Sequence, residues 1–384
     1  MTDVSDPTVL VRARGGLGRL TLNRPRAINA LDLGMIHQLH AALDAWEHDS
    51  EVDIVVLDGA GERGLCAGGD VRGLADRVVN RRLEDAAVFF RDEYALNVRI
   101  AEYPKPIVAL ADGITMGGGI GLAGHAAIRV VTERSQLAMP ETRIGFTPDV
   151  GGSWLLARAP GRLGEYLGLT GATMDAADAV YAGFADHLVP SESLEGLREA
   201  LETRADPSSP TELVLLFDET PAPSKLEQAR VWIDEAFAAD SVADIIERLR
   251  ALADDGDGSL SERRRDERSL SERQRDERSL SERQRDEARA TAELLGELSP
   301  TGLAVTLAAV RRARELAGLR DALEQEYGLV MWFATTQPDL AEGIRAQVID
   351  KDRSPKWQPA TLAELQPEAA ASAFSFRPDV PLWD

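Results

Sequence analysis

Four short segments of this 384-residue chain contain residue types that could carry out chemistry. Residues 66–70 (CAGGD) and 113–119 (GITMGGG) are rich in glycine, whereas residues 139–145 (MPETRIG) and 148–152 (PDVGG) each place one acid beside a turn. Glycine leaves backbone N–H groups unshielded, and such groups can hold a developing negative charge. Carboxylates supply general acid–base or nucleophilic chemistry. The combination favours a reaction that builds negative charge on an oxygen next to an acid.

The glycine run at 117–119 precedes an apolar segment that reads as a helix over residues 120–127. The first turn of a helix has unpaired N–H donors, so this junction is suited to an anion. Gly68 and Gly69 offer a second donor of the same kind, and two donors that converge on one oxygen would form an oxyanion hole. Close packing of a helix on a sheet explains a lone GGG equally well, so that reading stays open.

Glu141 and Asp149 are the candidate acids. Pro140 fixes the backbone before Glu141, and the apolar neighbourhood would raise its pKa by desolvation. A loop of seven residues separates the two acids and would let them converge on one pocket. The alternative is that both are ordinary exposed acids, which are the default in so acidic a chain.

Other patterns are weaker. Ser153 lacks the last glycine of a G-x-S-x-G elbow, because that position is Leu155. Cys66 has no evident base beside it and is expected to be a small packed residue. A G-x-G-x-x-G string begins at Gly119, but it lies inside the expected helix rather than at the end of a strand, so close packing is the preferred explanation. The five histidines show no metal-ligand spacing, and we expect no metal site.

Composition excludes several classes of protein. The chain has 43 basic and 65 acidic residues and a net charge of −22, which argues against binding nucleic acid or an anionic membrane through bulk charge. One cysteine excludes an internal disulfide, and no apolar run is long enough to span a bilayer. The N-terminal segment has two Asp and no Lys or Arg, unlike a signal peptide. We therefore expect a cytoplasmic protein that handles a small ligand, and homo-oligomerisation stays open.

Hydrophobic periodicity predicts an α/β catalytic core over residues 8–200. Strands are expected at 9–14 and 17–22, then at 52–57, 107–110 and 128–132, with parallel pairing after the first hairpin. A helix over residues 31–47 is expected to be capped by Asp32. Residues 201–365 read as a mainly helical region, which would be a lid or an assembly surface.

Residues 259–288 interrupt that helical region with three near-identical decapeptides. Their nine Arg balance nine acids, and a ten-residue step turns each Leu to a different side of a helix, so no apolar stripe forms. A solvated helix or flexible insertion is the preferred interpretation and an interaction arm is the alternative.

These motifs together resemble the crotonase (enoyl-CoA hydratase/isomerase) superfamily. Residues 23–31 (NRPRAINAL) are similar to its opening signature, and the two glycine-rich segments to its oxyanion-hole segments. Five strings in the same order resemble, more narrowly, its 3-hydroxyisobutyryl-CoA hydrolase family, over about residues 10–365; they are residues 89–94 (FFRDEY), 113–119, 139–145 with 148–152, 299–301 (SPT) and 349–357 (IDKDRSPKW). The resemblance implies a crotonase-like fold, a spiral core of ββα units followed by helices.

The resemblance also implies roles for particular residues. The oxyanion donors would be the backbone N–H groups of Gly69 and Gly118, and Glu93 would contact the substrate. Glu141 and Asp149 would be the active-site acids, and they and Gly118 would contact the substrate as well. Coenzyme A would enter only as part of the acyl-CoA substrate, with no separate cofactor.

Gly121 separates this chain from the hydratases of the superfamily. By resemblance, those enzymes have one glutamate at this position and a second at the position of Glu141. A chain with only the second has half the acid–base pair for adding water to a C=C bond, yet it keeps what thioester hydrolysis needs. The expected activity is therefore hydrolysis of a CoA thioester, with 3-hydroxyisobutyryl-CoA of valine breakdown as the substrate that the resemblance implies. An enoyl-CoA hydratase or isomerase and an inactive protein that binds a partner are the alternatives.

Overall fold

The computed structural model describes residues 7–203, 209–254 and 280–383. It opens on the expected hairpin, in which β1 (Val9–Arg14) pairs antiparallel with β2 (Gly16–Leu22). Four further strands follow, β3 (Val52–Gly59), β4 (Ile107–Ala111), β6 (Ile128–Val131) and β8 (His187–Leu188). They pair in parallel and give the order β1-β2-β3-β4-β6-β8 within the described residues. The expected α/β sheet is confirmed.

Strand β3 shows why the central strands read as continuous apolar runs. Helices cover both faces of the sheet, so two separate apolar layers form on either side of it. Val55 and Leu57 belong to the larger layer, whereas Ile54 and Val56 face the smaller one. The side-chain alternation of a single strand therefore divides the core between its two faces.

The helix after the hairpin, α1 (Leu33–Glu47), begins where the sequence predicts a cap. The Asp32 carboxylate accepts a hydrogen bond of 2.9 Å from the Met35 N–H, which satisfies one of the unpaired donors of the first turn. Its apolar face, which includes Leu39 and Leu43, is fully buried. The other helices of the first half are α2 (Val71–Val79), α3 (Leu83–Glu102), α4 (Gly118–Ala123), α5 (Gly152–Arg158), α6 (Leu163–Thr170), α7 (Ala176–Tyr181) and α8 (Leu194–Thr203).

Two short strands that periodicity does not predict form a second sheet. β5 (Ile114–Met116) and β7 (Gln136–Ala138) pair in parallel, and each has only three residues, too few for a pattern of alternation. β5 leads directly into α4, so the expected strand-to-helix junction at the glycine run is present, but its strand is β5 rather than β4. Helix α4 is also shorter than the expected 120–127 segment.

The predicted division between residues 200 and 201 lies within α8, which packs its apolar side on the sheet together with α9 (Pro210–Leu215). The sheet's own covering layer therefore extends past residue 210, because these helices bury Leu17 and Ile54 of the sheet's outer face. Beyond it the chain is helical, as expected, with α10 (Lys225–Phe237), α11 (Val242–Asp254), α12 (Glu282–Glu297), α13 (Pro300–Ala313), α14 (Leu319–Thr336), α15 (Asp339–Ile344) and α16 (Ala369–Ser375).

The helical region shares one continuous apolar core with the larger face of the sheet. It also extends beyond residue 365, since α16 packs against α13 and α14. Of the decapeptide repeats, residues 259–279 lie outside the described residues, and the last repeat enters α12, which a reciprocal Ser281–Gln284 capping pair begins. Among the helices that the structure describes, none has the length and apolarity needed to cross a membrane.

Candidate active site

A cavity of about 180 Å³ lies where the two glycine-rich segments meet the acid-bearing loops. Its walls are mostly apolar and include the rings of Phe89, Phe90 and Phe146. The polar groups are few: backbone N–H groups of the glycine segments, the carboxyl groups of Glu93, Glu141 and Asp149, and that of Asp70, which pairs with Arg24. A small, mainly apolar cavity with a few convergent polar groups is the usual form of a binding site.

The backbone N–H groups of Gly69 and Gly118 lie side by side at this cavity. A methyl group built on Gly118 would be 3.2 Å from the Gly69 nitrogen, and one built on Gly68 would be 3.6 Å from the Gly118 nitrogen. Within the described residues neither N–H group has a hydrogen-bond acceptor. Two neighbouring unpaired donors beside a cavity are the arrangement that an oxyanion hole requires. The structure thus brings together the two donors that the resemblance implies.

Two glycine conformations make this approach feasible. Gly68 has φ of +105° and the helix cap Gly117 has φ of +49°, both in the region that favours glycine. A side chain on Gly68 would also meet the Met116 carbonyl oxygen at 3.2 Å. The chain therefore needs glycine here for backbone shape as well as for access to the N–H groups.

Glu141 comes from a 3₁₀ turn, Glu141–Ile144, that follows β7 and Pro140. Its Oε1 would lie 3.0 Å from a methyl group built on Gly117, so the carboxyl group is next to the glycine segment. Its Oε2 is buried and has no hydrogen-bond partner among the described residues. Burial raises the pKa of Glu141 well above its usual value, and the charge of Asp149 adds to the effect. The expectation of a desolvated glutamate is confirmed.

Asp149 reaches the same cavity from the loop before α5. Its Oδ2 accepts a 2.7 Å hydrogen bond from the Tyr94 hydroxyl, a contact that the sequence reasoning missed. Burial raises the pKa of Asp149 to about 7, and the Tyr94 hydrogen bond opposes that rise because it stabilises the ionised form. Asp149 therefore titrates in the range where a proton can be exchanged at neutral pH.

Glu93 completes the group from the middle of α3, one residue before Tyr94. Its Oε1 would lie 2.6 Å from a methyl group on Gly118 and has no hydrogen-bond partner in the described part of the chain. Burial raises the pKa of Glu93 well above its usual value, and the charges of Asp149 and Glu141 raise it further. Glu93, Glu141 and Asp149, hereafter the carboxyl cluster, are 3%, 7% and 7% exposed. Such a cluster favours holding protons rather than three charges.

Gly121 lies on α4 with no room for a side chain. A methyl group built there would be 2.7 Å from the Val150 Cβ and 2.8 Å from the Asn97 side-chain nitrogen. Both distances are shorter than real Cβ contacts, so even alanine would force its neighbours to move. The space that a second glutamate would occupy is filled by the protein itself.

Two other kinds of chemistry, a cysteine nucleophile and a metal site, were also considered from the sequence. Cys66 is fully buried, and burial raises the pKa of its thiol to about 12, which disfavours the reactive thiolate. In the ranges 7–203, 209–254 and 280–383, no cluster of three or more His, Cys, Asp or Glu side chains is arranged to hold a metal ion.

One buried acid behind the site was missed because it lies 177 residues beyond Asp149. Glu326 occupies the apolar face of α14, between buried Leu323 and Val330, where a charged residue is out of pattern. That exception to the helix periodicity is the signal that could have identified it.

Known proteins that resemble this chain carry two kinds of name. Relatives called "3-hydroxyisobutyryl-CoA hydrolase, mitochondrial" are 38% identical in Danio rerio, over 98% of this chain and 91% of that protein, and 37% identical in Homo sapiens, over 97% and 89%. A solved structure called a carnitinyl-CoA dehydratase, from Mycobacterium thermoresistibile, is 42% identical with a TM-score of 0.84, over 98% of each chain. Another, called an enoyl-CoA hydratase, from Rhodobacter sphaeroides, is 41% identical with a TM-score of 0.81, over 96% of this chain and 97% of that one.

The names differ in reaction, but each is a protein acting on an acyl-CoA. The profile of the family described as enoyl-CoA hydratase/isomerase matches residues 17–374, which covers both the sheet and the helical region. The two solved structures share the fold over nearly the whole chain, which confirms the expected crotonase-like architecture. The chain therefore belongs to the enoyl-CoA hydratase/isomerase, or crotonase, family.

Proposed function

We propose that this protein hydrolyses a CoA thioester of a short 3-hydroxyacyl group, with 3-hydroxyisobutyryl-CoA as the leading substrate. The carrying observation is the pairing of two unpartnered backbone donors, Gly69 and Gly118, with the desolvated carboxyl group of Glu141 beside them. The names of the relatives from Danio rerio and Homo sapiens support the choice of acyl group.

The thioester carbonyl oxygen would lie between the Gly69 and Gly118 N–H groups. Attack on the carbonyl carbon moves an electron pair onto that oxygen, and the two donors stabilise the resulting negative charge. One such donor is typically worth ~100–1000-fold in rate. Because the donors belong to the backbone, they are already oriented and need no rearrangement as the charge develops.

Glu141 could promote hydrolysis in either of two ways. As a nucleophile, its carboxylate attacks the carbonyl carbon, the C–S bond breaks, and the mixed anhydride is then hydrolysed by water. As a general base, it takes a proton from water, and the resulting hydroxide attacks directly. In both routes the CoA sulfur leaves as a thiolate and acquires a proton. If water attacks the anhydride at the Glu141 carbonyl carbon, repeated turnover in H₂¹⁸O places ¹⁸O in the Glu141 side chain, which the general-base route cannot do. Label found there by mass spectrometry therefore identifies the nucleophilic route.

Asp149 would orient the water or the substrate hydroxyl and assist proton transfer. The Tyr94 hydroxyl holds one of its oxygens, which leaves the other for a second partner. Glu93 would hold the hydroxyl of the acyl group, since its Oε1 has no partner among the described residues. A cavity of about 180 Å³ is smaller than the ~300 Å³ at which sites for larger ligands begin, which suits a short acyl group.

The rival activity is hydration of an enoyl-CoA, which the names of the two solved structures suggest. The filled space at Gly121 argues against it, because Val150 and Asn97 occupy the position where a second acid would act. Crotonyl-CoA is the discriminating substrate, because both reactions remove its enoyl-thioester absorbance but only hydrolysis breaks the C–S bond. Loss of absorbance without free thiol would indicate hydration, whereas free thiol released in step with that loss would indicate hydrolysis.

A panel of acyl-CoA substrates tests the proposal. Free CoA should be released fastest from 3-hydroxyisobutyryl-CoA and more slowly from isobutyryl-CoA, which has the same branched carbon skeleton without the hydroxyl. Equal rates on the two would remove the proposed role of Glu93. Absence of thiol release from every thioester would contradict the proposed function.

No separate cofactor enters this proposal, because coenzyme A is part of the substrate. The cytoplasm is retained as the proposed location, although the relatives' names call those proteins mitochondrial. Fractionation of cells that express the full chain would decide between the two compartments.

A further inference from the structure

A carboxylate from the helical region holds the loop that carries Asp149. Glu326 on α14 is completely buried, and its Oε2 accepts a 2.6 Å hydrogen bond from the Gly151 N–H. Its Oε1 accepts two more, from the N–H and hydroxyl groups of Ser153, at 2.8 and 2.5 Å. No Lys or Arg of the described ranges pairs with it. Burial raises the pKa of Glu326 to about 8, and these three donors at the start of α5 oppose that rise because they stabilise the ionised form.

The loop that Glu326 holds is not relaxed. Val150 has φ of +54°, which is unfavourable for a β-branched residue. Such a conformation persists only where neighbouring contacts enforce it. The Gly151 N–H bound by Glu326 follows Val150 directly, so this hydrogen bond acts at the strained position.

A second contact holds the carbonyl oxygen of Val150, next to the Gly151 N–H that Glu326 binds. The His125 Nε2 lies 2.8 Å from the Val150 carbonyl oxygen, and because that oxygen can only accept, the nitrogen donates. Burial lowers the pKa of His125 to about 4, so the ring is neutral and carries its proton on this nitrogen. Glu326 and His125 thus hold the N–H and the C=O of one peptide unit, the one between Val150 and Gly151, and thereby fix the end of the loop that carries Asp149.

We infer that Glu326 is a positioning residue, which acts on catalysis by holding Asp149 in the cavity through Gly151 and Ser153. The helical region then contributes to catalysis, because it supplies a residue that positions Asp149. The inference rests on the proposed function for its kinetic readout, while its structural readout is independent of any activity.

The structural readout is hydrogen exchange of the peptide that contains residues 149–153, in the full chain. In Glu326→Gln, the amide NH₂ can no longer accept from all three donors, so the Gly151 and Ser153 amides should exchange faster than in the wild type. Unchanged exchange would overturn the anchoring role, whether or not the protein hydrolyses thioesters.

The kinetic readout is a double-mutant cycle with Asp149→Asn. Glu326→Gln should lower kcat by about tenfold or more with little change in KM, because misplacement of a catalytic group by about 1 Å costs up to ~100-fold. If Glu326 acts through Asp149, this effect should disappear in the Asp149→Asn background. An equal effect in both backgrounds would mean a general structural role and would overturn the inference.

Two further variants keep the test sound. Ser153→Ala removes one of the three donors without a change in charge, and it should show a smaller part of both effects. It replaces Glu326→Gln in the test if that variant does not fold. Glu165→Gln also removes a fully buried carboxylate, one on α6 that arginines surround, so it should lower stability but leave kcat unchanged. If the wild type releases no thiol, the proposed function fails, and the exchange measurement still decides the inference.

Discussion

Two groups of buried carboxylates in this molecule have opposite surroundings. On α6, the Glu165 carboxylate contacts Arg162 at 2.8 Å and Arg314 at 2.6 Å, with Arg311 at 3.7 Å. In the carboxyl cluster of the cavity, no Lys or Arg of the described residues pairs with any of the three acids, and burial raises the pKa of each.

The presence or absence of arginines distinguishes a carboxyl group with a structural role from one that is available for chemistry. A buried carboxylate that arginines surround is held in one position, and it joins the elements that carry those arginines. In the cavity no cation pairs with the carboxyl cluster and burial raises the pKa of each acid, so these groups can exchange protons with a substrate or water, as acid–base and nucleophilic chemistry need. The comparison predicts opposite responses when the charge of each group is removed.

The largest effect is expected at Glu141. Glu141→Gln keeps the size of the side chain, but its amide can neither attack the thioester nor take a proton from water, so kcat for thioester hydrolysis should fall by about 1000-fold, within the ~100–10,000-fold range of such groups. Thiol release measured beside Glu165→Gln checks this. A Glu141→Gln variant with wild-type kcat would contradict the comparison, because Glu141 would then have no more part in catalysis than Glu165.

Glu165→Gln should produce the next largest effect, on stability. Removal of its charge leaves three guanidinium groups without their shared partner, which should lower the free energy of unfolding by about 3 kcal/mol. Denaturant titration gives this value, and kcat per folded molecule should be unchanged. A stable Glu165→Gln variant would show that the arginines find other partners.

Asp149→Asn should lower kcat by about 100-fold. The wild-type rate should rise with pH through about 7, because the ionised form of Asp149 accepts the Tyr94 hydrogen bond and orients the water. The variant should lose this rise. Since the cluster titrates as a unit, the pH profile reports an apparent value for the group. A profile that is the same in both proteins would assign the titration to another residue.

The smallest expected effect concerns stability at Glu93. Its folded-state pKa is raised, so the folded chain holds a proton that the unfolded chain releases above about pH 4.3. Stability from this group is therefore complete below that pH and is lost as pH rises toward the folded-state pKa. Glu93→Gln should remove the loss and be more stable than the wild type at pH 8 by about 1 kcal/mol or more, relative to the difference at pH 5. Parallel unfolding curves at both pH values check the sign.

Much of the fold follows from local patterns in the sequence. The cap at Asp32 and the apolar strand from Val52 are decided by neighbouring residues, and the structure has both as expected. β5 and β7 were not predicted, because three residues cannot show alternation. The packing of α8 on the sheet could not be predicted, because its amphipathic pattern does not reveal whether it covers a sheet or joins other helices.

In the candidate site, too, some features could be predicted from neighbouring residues and others depend on how the helices pack. Glu141 and Asp149 lie close in sequence and follow turn residues, so convergence could be expected from the residues alone. The contacts of Tyr94 and Glu326 could not, since they depend on how α3 and α14 pack around the Asp149 loop. The roles of Gly69, Gly118 and Glu93 were implied by the resemblance, and they stay predictions until they are tested.

The most direct test of the central claim is the structure of Glu141→Gln with 3-hydroxyisobutyryl-CoA bound. The account predicts that the thioester oxygen lies about 2.7–3.1 Å from the nitrogens of both Gly69 and Gly118, with residue 141 facing the carbonyl carbon. An oxygen that contacts neither nitrogen, or a residue 141 turned away from the thioester, would contradict it.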